Sequence, residues 1–469
     1  MTEIKKVLFV NPRPVMSKII MEASHYPPMG IAYTAAYLES KGIQCKIIDA
    51  DILKLSNEEI YEQIRDFDPD MIGITFNVAK VEEAMNISKW VKENLGKVVI
   101  LGGPSASGDV RPILEKSKAD CIVRNEGEIV TWNIIENKGD FKKVNGIVYM
   151  DNNNIVITPE QEPIMDLDSL PMPAYHLLPD LKMYKTRARK TPVVPMVTER
   201  GCPYGCVFCN SARTGFRPRS PENVINEIEI LVNKYKVKQI DVLDDNFTFN
   251  LERASKILDL IIERKIKILI TFPNGLRADR LTEELVAKMA KAGVYRAGIG
   301  IESGEQKIVD GIKKSLDLEK VRQTMVWLRK YGIISFGYFQ FGLPGETKDT
   351  MERTIEFAKE INPNWANFGV TTPLPGTFLY KNLKESGKLN TSEDKNVSTG
   401  FYSIKKGYGD TDTLKMDDVL EYQRKAWMEF YFRPGKVVDV IKTIKSFGEL
   451  RWTASIAWPI LKGIFTKGN

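Results

Sequence analysis

The chain has 469 residues, which at about 150 per domain suggests two to four domains. Its 43% hydrophobic residues and 33 glycines are an ordinary globular composition, which excludes a disordered chain, a collagen-like repeat and a membrane-spanning bundle. Lys+Arg 67 against Asp+Glu 61 leaves a net charge of +6, too small on this length to imply a nucleic-acid partner.

From Lys6 to about Ile147, short β-branched runs (Lys6–Val10, Cys45–Ile48, Met71–Thr75, Val98–Leu101) alternate with helix-length amphipathic segments (Gly30–Lys41, Ser56–Arg65, Lys80–Asn94). The alternation predicts βαβ units and an α/β, doubly wound parallel sheet over residues 1–157. Val98–Leu101 runs into Gly102-Gly103-Pro104-Ser105, and Asp120–Val123 is followed by Asn125-Glu126-Gly127-Glu128. Such carboxyl ends of strands are where these sheets hold ligands. Residues 158–193 lack a clean period and carry Pro159, Pro163, Pro171, Pro173, Pro179 and Pro192, so they read as a packed connector. A second alternation follows over 194–385, with strands at Val194–Thr198, Gln239–Leu243, Lys267–Phe272, Tyr295–Ile301, Ile333–Phe341 and Trp365–Thr371. Six strands with helices between them predict a partial parallel barrel whose reactive face is the carboxyl rim. Residues 386–469 read as a mostly helical C-terminal region.

The five cysteines, Cys45, Cys121, Cys202, Cys206 and Cys209, are too few and too clustered for a disulfide framework, which points to a reducing compartment. Lys5 and Lys6 precede only four apolar residues, short of a secretion signal, so a cytoplasmic location is expected. The longest apolar run, Ile456–Phe465, is broken by Pro459 and Lys462 and cannot span a bilayer. Cys202, Cys206 and Cys209 lie on a Gly-rich loop, Glu199-Arg200-Gly201-Cys202-Pro203-Tyr204-Gly205-Cys206-Val207-Phe208-Cys209, directly after the first strand of the second alternation. Three thiols so close can converge on one metal centre. Structural zinc would want a fourth Cys or His nearby, and the only histidines are His25 and His176. A four-iron, four-sulfur cluster on three thiolates leaves one iron open and is the leading reading, ahead of zinc and of unliganded core cysteines.

The C-x3-C-x2-C spacing, Phe208 before the third cysteine, and the six-strand alternation resemble the radical S-adenosylmethionine (SAM) superfamily over about Val194–Pro375. The resemblance implies that the open iron chelates SAM, that one electron from a donor such as flavodoxin or ferredoxin cleaves its sulfonium bond, and that a 5′-deoxyadenosyl radical then abstracts hydrogen from a substrate carbon. It also implies SAM contacts along the rim. Asp244-Asp245-Asn246 departs from the family's Gly-Gly-Glu turn, leaving carbonyls or Asn246 to receive the SAM amino group. Gly298-Ile299-Gly300-Ile301-Glu302-Ser303-Gly304 ends the fourth strand, with Glu302 placed either to accept from SAM or to sit in a rim salt bridge. The segment from Gln340 to Glu346 is similar to the adenine-contacting segment, the alternative being a plain Pro-Gly turn.

In the first alternation, Thr75, Gly102-Gly103-Pro104-Ser105, Glu126-Gly127 and Tyr26-Pro27-Pro28-Met29-Gly30 resemble the Rossmann-like cobalamin-binding domain that precedes many radical SAM modules. The alternative is a doubly wound domain whose glycines only make tight turns. No Asp-x-His-x-x-Gly string is present, which implies cobalt without a histidine ligand and His25 as a satisfied loop residue. The combined resemblance is to the anaerobic oxidative cyclase and methyltransferase branch. It implies a cobalamin-dependent enzyme methylating an unactivated carbon of a hydrophobic or complex metabolite, with ring formation or rearrangement as the alternative. A non-catalytic iron–sulfur sensor or scaffold is the reading from another class. From Arg433 to Asn469 seven basic residues face only Asp439 and Glu449, a net +5, interleaved with Trp452, Trp458, Ile460, Leu461, Ile464 and Phe465. That tail reads as an interfacial segment for an anionic membrane or a lipid-like substrate, or as a helical cap packed on the barrel.

Overall fold

The computed structural model describes residues 3–14, 25–77, 79–106, 110–184, 188–388 and 411–454. The chain divides into two units, Met1–Tyr184 and Lys185–Asn469. In the first, β1 (Lys6–Asn11), β2 (Gln44–Asp49), β3 (Met71–Thr75), β4 (Val98–Gly102), β5 (Cys121–Val123), β6 (Ile147–Asp151) and β7 (Asn154–Ile157) form one sheet in the order β2-β1-β3-β4-β5-β6-β7. The first five are parallel. They read as continuous apolar runs because helices cover both faces: Val7 and Phe9 pack with the helices Met29–Ser40 and Gly127–Glu136, Leu8 and Val10 with Asn57–Phe67 and Val81–Leu95. The expected doubly wound sheet is therefore present. It carries in addition an antiparallel hairpin, β6–β7, beyond the last strand the alternation identified. Asn152 (φ 47°) and Asn153 (φ 64°) both adopt the left-handed conformation that a two-residue hairpin turn requires.

The proline-rich connector supplies only single 3-10 turns, at Leu167–Ser169, Tyr175–Leu177 and Leu181–Met183. Its residues up to Tyr184 belong to the first unit, held by Ala174 N donating to Ala32 O (3.0 Å) and Tyr184 OH donating to Asp49 (2.7 Å).

In the second unit β8 (Val193–Met196) is followed by a short antiparallel pair, β9 (Glu199–Arg200) and β10 (Arg217–Pro218). Then come β11 (Gln239–Val242), β12 (Leu269–Leu276), β13 (Val294–Glu302), β14 (Ile334–Phe341) and β15 (Trp365–Val370). The order β15-β14-β13-β12-β11-β8 is all parallel and puts each strand beside its predecessor, the partial (β/α)6 barrel expected. The intervening helices begin where Ser220, Asn250, Thr282, Asp317 and Thr347 accept a first-turn amide, satisfying donors the helix itself cannot. Among the described C-terminal residues, the helix Met416–Tyr431 packs Trp427 and Phe430 edge-on against Phe368 of β15.

Candidate active site

All three clustered cysteines fall on the loop pinched at its base by β9 and β10. Gly201 opens it at φ 89°, and a Cβ there would stand 2.2 Å from Gly215 O, so the loop closes only around glycine. Inside, Cys202 pairs with Ala212 in an isolated bridge and donates its amide to Thr214 Oγ1 (3.0 Å), and Cys209 N donates to Cys206 O (3.2 Å). The turn after β11 holds this loop from outside. Asp245 accepts from Gly201 N (3.0 Å) and Ser211 Oγ (2.7 Å), while Asp244 accepts from Thr198 N (2.6 Å) and from its hydroxyl. The Asp-Asp-Asn departure noted in the sequence is thus a brace for the cysteine loop. Asn246 N donates to Glu199 (2.7 Å), its Nδ2 points at Cys202 Sγ (4.0 Å), and its buried Oδ1 has no protein partner.

Burial pushes the thiols of Cys202 and Cys209 up, the latter to about 11, and the negative charge of the neighbouring cysteines adds to it. Three thiolates in this loop repel one another and require a cationic centre, which suits an iron–sulfur cluster. Phe208 packs with Val207, Ile308, Ile312 and Leu343 beneath the loop. A cavity of about 360 Å³ lies beside it, lined by Cys206, Cys209, Arg213, Thr377 and Phe378.

Along the rim, Glu302 ends β13 with φ 72°, and its buried carboxylate takes Lys314 Nζ (2.8 Å) on one oxygen and Gln340 Nε2 (2.8 Å) on the other. Glu302 and Gln340 are therefore brought together. Ser303 is not: its hydroxyl faces Thr354 Oγ1 (3.1 Å) and accepts from Glu305 N (3.2 Å). Lys314 and Arg277 were missed because no spacing rule marks them. Burial alone would lower the Lys314 pKa, but Glu302 and the nearby Cys206 outweigh it and raise it. Arg277 covers the Tyr204 ring (3.7 Å) and donates to Lys314 O and Ser315 O (both 2.7 Å), tying the Lys314 loop to the cysteine loop.

In the first unit a cavity of about 340 Å³ opens at the carboxyl ends of β1, β3, β4 and β5. Thr75, Gly102, Gly103, Pro104 and Gly127 all line it, over an apolar floor that includes Phe9, Ile74 and Ile100. Small residues and bare backbone over that floor suit a flat macrocycle. Gly103 (φ 127°) is demanded by the protein's own packing, since a Cβ would meet Phe76 O at 2.4 Å. Ser105 and Glu126 are not among the described lining residues; the Glu126 carboxylate accepts from Ile164 N (2.9 Å) in the connector. His25 is also outside the described lining, 3.6 Å from Asp51. The wall includes two residues sequence reasoning missed, Asn11 and Lys80, joined at 2.8 Å, with Lys80 also on Asp51 (2.9 Å) and Asn11 on Asp49 (2.8 Å).

Two family models match: the radical SAM superfamily over residues 196–358 and the B12 binding domain over residues 22–133. The chain is 31% identical over 450 residues to a protein of Pyrococcus horikoshii named as an uncharacterized methyltransferase, covering 94% of this chain and 95% of that one. It is 30% identical over 408 residues to the anaerobic magnesium-protoporphyrin IX monomethyl ester cyclase of Rubrivivax gelatinosus, covering 84% and 73%. Its fold matches that of the radical S-adenosylmethionine methyltransferase TsrM from Kitasatospora setae, solved with cobalamin and a [4Fe-4S] cluster bound, at TM-score 0.70, 17% identity and 98% and 99% coverage.

Proposed function

Because the chain belongs to the radical SAM superfamily and carries that superfamily's B12-binding module ahead of its barrel, we propose that it methylates an unactivated carbon of a hydrophobic or complex metabolite. It is a cobalamin-dependent radical SAM enzyme whose cofactors are a 4Fe-4S cluster, SAM and cobalamin. The observation that carries the methyl-transfer reading is the end-to-end likeness to the Pyrococcus methyltransferase. When bound, the cofactors supply one-electron chemistry at carbon and a methyl donor.

The chain's own residues divide the remaining work. Cys202, Cys206 and Cys209 hold the cluster on a loop braced by Asp244 and Asp245. Asn246, with its unpartnered buried Oδ1, accepts from the SAM ammonium, and the Glu302–Gln340 pair presents acceptors for the nucleoside, over the Phe208 packing that fixes the loop. Thr75, Gly102, Gly103, Pro104 and Gly127 bring backbone close to the corrin. Ser303 turns to Thr354, and neither Glu126 nor Ser105 is among the described residues of the cavity wall, so this reading gives those three no cofactor contact. A flavodoxin- or ferredoxin-type donor delivers the electron, and the basic C-terminal segment brings the chain to a lipid surface.

The test supplies reduced, reconstituted protein with SAM labelled in its methyl group, together with hydrophobic candidate substrates. Label in a product carbon supports methyl transfer. Formation of 5′-deoxyadenosine with an altered but unlabelled product moves the assignment to ring formation, the second reading, which the likeness to the Rubrivivax cyclase favours. SAM cleavage no greater than in Cys206→Ala would return the protein to the sensor class.

A further inference from the structure

The helix Lys436–Thr443 is amphipathic in the wrong sense for a helix lying on a barrel. Surface helices ordinarily turn apolar residues inward and polar ones to water. Here the inward stripe is Lys436, Val440 and Thr443: Lys436 Nζ donates to Asn362 Oδ1 (3.0 Å) and to Pro363 O, and Thr443 Oγ1 accepts from Trp365 Nε1 (3.0 Å). The outward stripe is Val437, Val438 and Ile441, each more than half exposed, and just beyond it come Phe447, 79% exposed, and Leu450. Of the fifteen exposed large apolar side chains among the described residues, seven lie between Met428 and Leu450. They are concentrated in one stretch of chain, so scattered surface hydrophobics do not account for them.

The charges around this face have one sign in excess. Lys442, Lys445 and Arg451 are exposed, against Asp439 alone, because Glu449 is buried and paired with Arg189 (3.3 Å). Trp452, which the sequence offered as an interfacial anchor, instead packs edge-on against Trp365 (5.8 Å between centroids) and belongs to the cap. Trp458 and the rest of 455–469 lie outside the described residues; that stretch contains Lys462 and Lys467 and no acidic residue.

We propose that the outer face of the helix Lys436–Thr443, continued by Phe447 and Leu450, docks on an anionic lipid surface. Apolar side chains enter the acyl boundary while Lys442, Lys445 and Arg451 meet the headgroups. The inward stripe is hydrogen-bonded to Asn362 and Trp365, which ties the helix to the barrel and leaves its apolar face outward. The proposal deepens the membrane-contact part of the reading above and is independent of the chemistry assigned there.

The experiment floats the full-length holoprotein with vesicles of phosphatidylcholine containing a minor share of phosphatidylglycerol, and with vesicles of phosphatidylcholine alone. Flotation is expected with the anionic vesicles only, weakened by salt. The double variant Ile441→Asp/Phe447→Asp should reduce the bound fraction about tenfold or more while keeping its iron content and elution volume. Val326→Asp, on the barrel helix Leu318–Lys330, should bind as the parent does. The milder Val438→Ser/Ile441→Ser should bind weakly even if the aspartate variant misfolds. A chain ending at Ala454 should still float, since the face does not need residues 455–469. No flotation of the parent, equal flotation of both face variants, or loss only on truncation would overturn the proposal, as would a dimer that forms without vesicles and disappears in the face variants. Release of 5′-deoxyadenosine from the parent and the double variant in vesicle-free buffer should be equal, so a failed docking result leaves the chemistry standing.

Discussion

Asp245 is a small residue with a large share of the site's geometry, because its two oxygens hold both Gly201 and Ser211 on either side of the cysteines. Hydrogen bonds to a charged group are worth about 1.5 to 3 kcal/mol each, so Asp245→Ala should loosen the loop without touching a sulfur. Iron retained per chain after reconstitution should fall severalfold, with the far-ultraviolet circular dichroism unchanged. Glu346 offers a test of a different kind. It is fully buried in the turn after β14, where one oxygen accepts from Leu343 N (2.9 Å), and burial raises its pKa to about 8 from an ordinary 4.5, against the lowering effect of the backbone amides. Below 4.5 the carboxyl is protonated folded and unfolded, with no penalty. Between 4.5 and about 8 the unfolded chain ionises while the folded one stays protonated, so this group makes stability fall as pH rises, by up to about 1.4 kcal/mol per pH unit. Glu346→Gln keeps the acceptor and removes the proton. Its thermal midpoint relative to the parent should climb across that window and level off above it; a constant difference would contradict the assignment.

At the scale of elements, the hairpin β6–β7 depends on two left-handed asparagines. Asn153→Gly should be neutral or slightly stabilising, whereas Asn153→Val should cost about 1 to 2 kcal/mol, read as a lowered unfolding midpoint and faster amide exchange in β6 and β7. The parallel strands of the first unit were legible in the sequence because they are short runs rich in Val and Ile closed by a turn, and burial on both faces leaves little else for such runs to be. The hairpin was not, because its second strand has no buried residue and its turn is Asn-Asn, without the glycine that usually marks one. The three cysteines were legible from spacing alone. Glu302 and Gln340 were identified separately, but their bond depends on β13 and β14 being neighbours with a register shift after Gly300, which no local pattern encodes. Ser303, just past the end of β13, turns its hydroxyl to Thr354 and so does not join that pair.

For the whole molecule, each unit has a cavity of its own, and these two share no residue among the described ones. The two loadings should therefore be separable: Cys206→Ala should lose iron–sulfur absorbance and keep the visible spectrum of bound cobalamin at near-parental stoichiometry. Loss of both together would mean that the units do not bind independently. Gly201, Thr198 and Ser211 are fastened by Asp244 and Asp245, and the base is fastened by β9 and β10, all through oxygen and nitrogen atoms. In small zinc domains the metal is what makes the polypeptide fold; here the bonds that brace the loop run through oxygen and nitrogen and not through sulfur. Stripping the iron should therefore leave the far-ultraviolet circular dichroism and the elution volume unchanged, and iron and sulfide added back should restore the absorbance of the cluster.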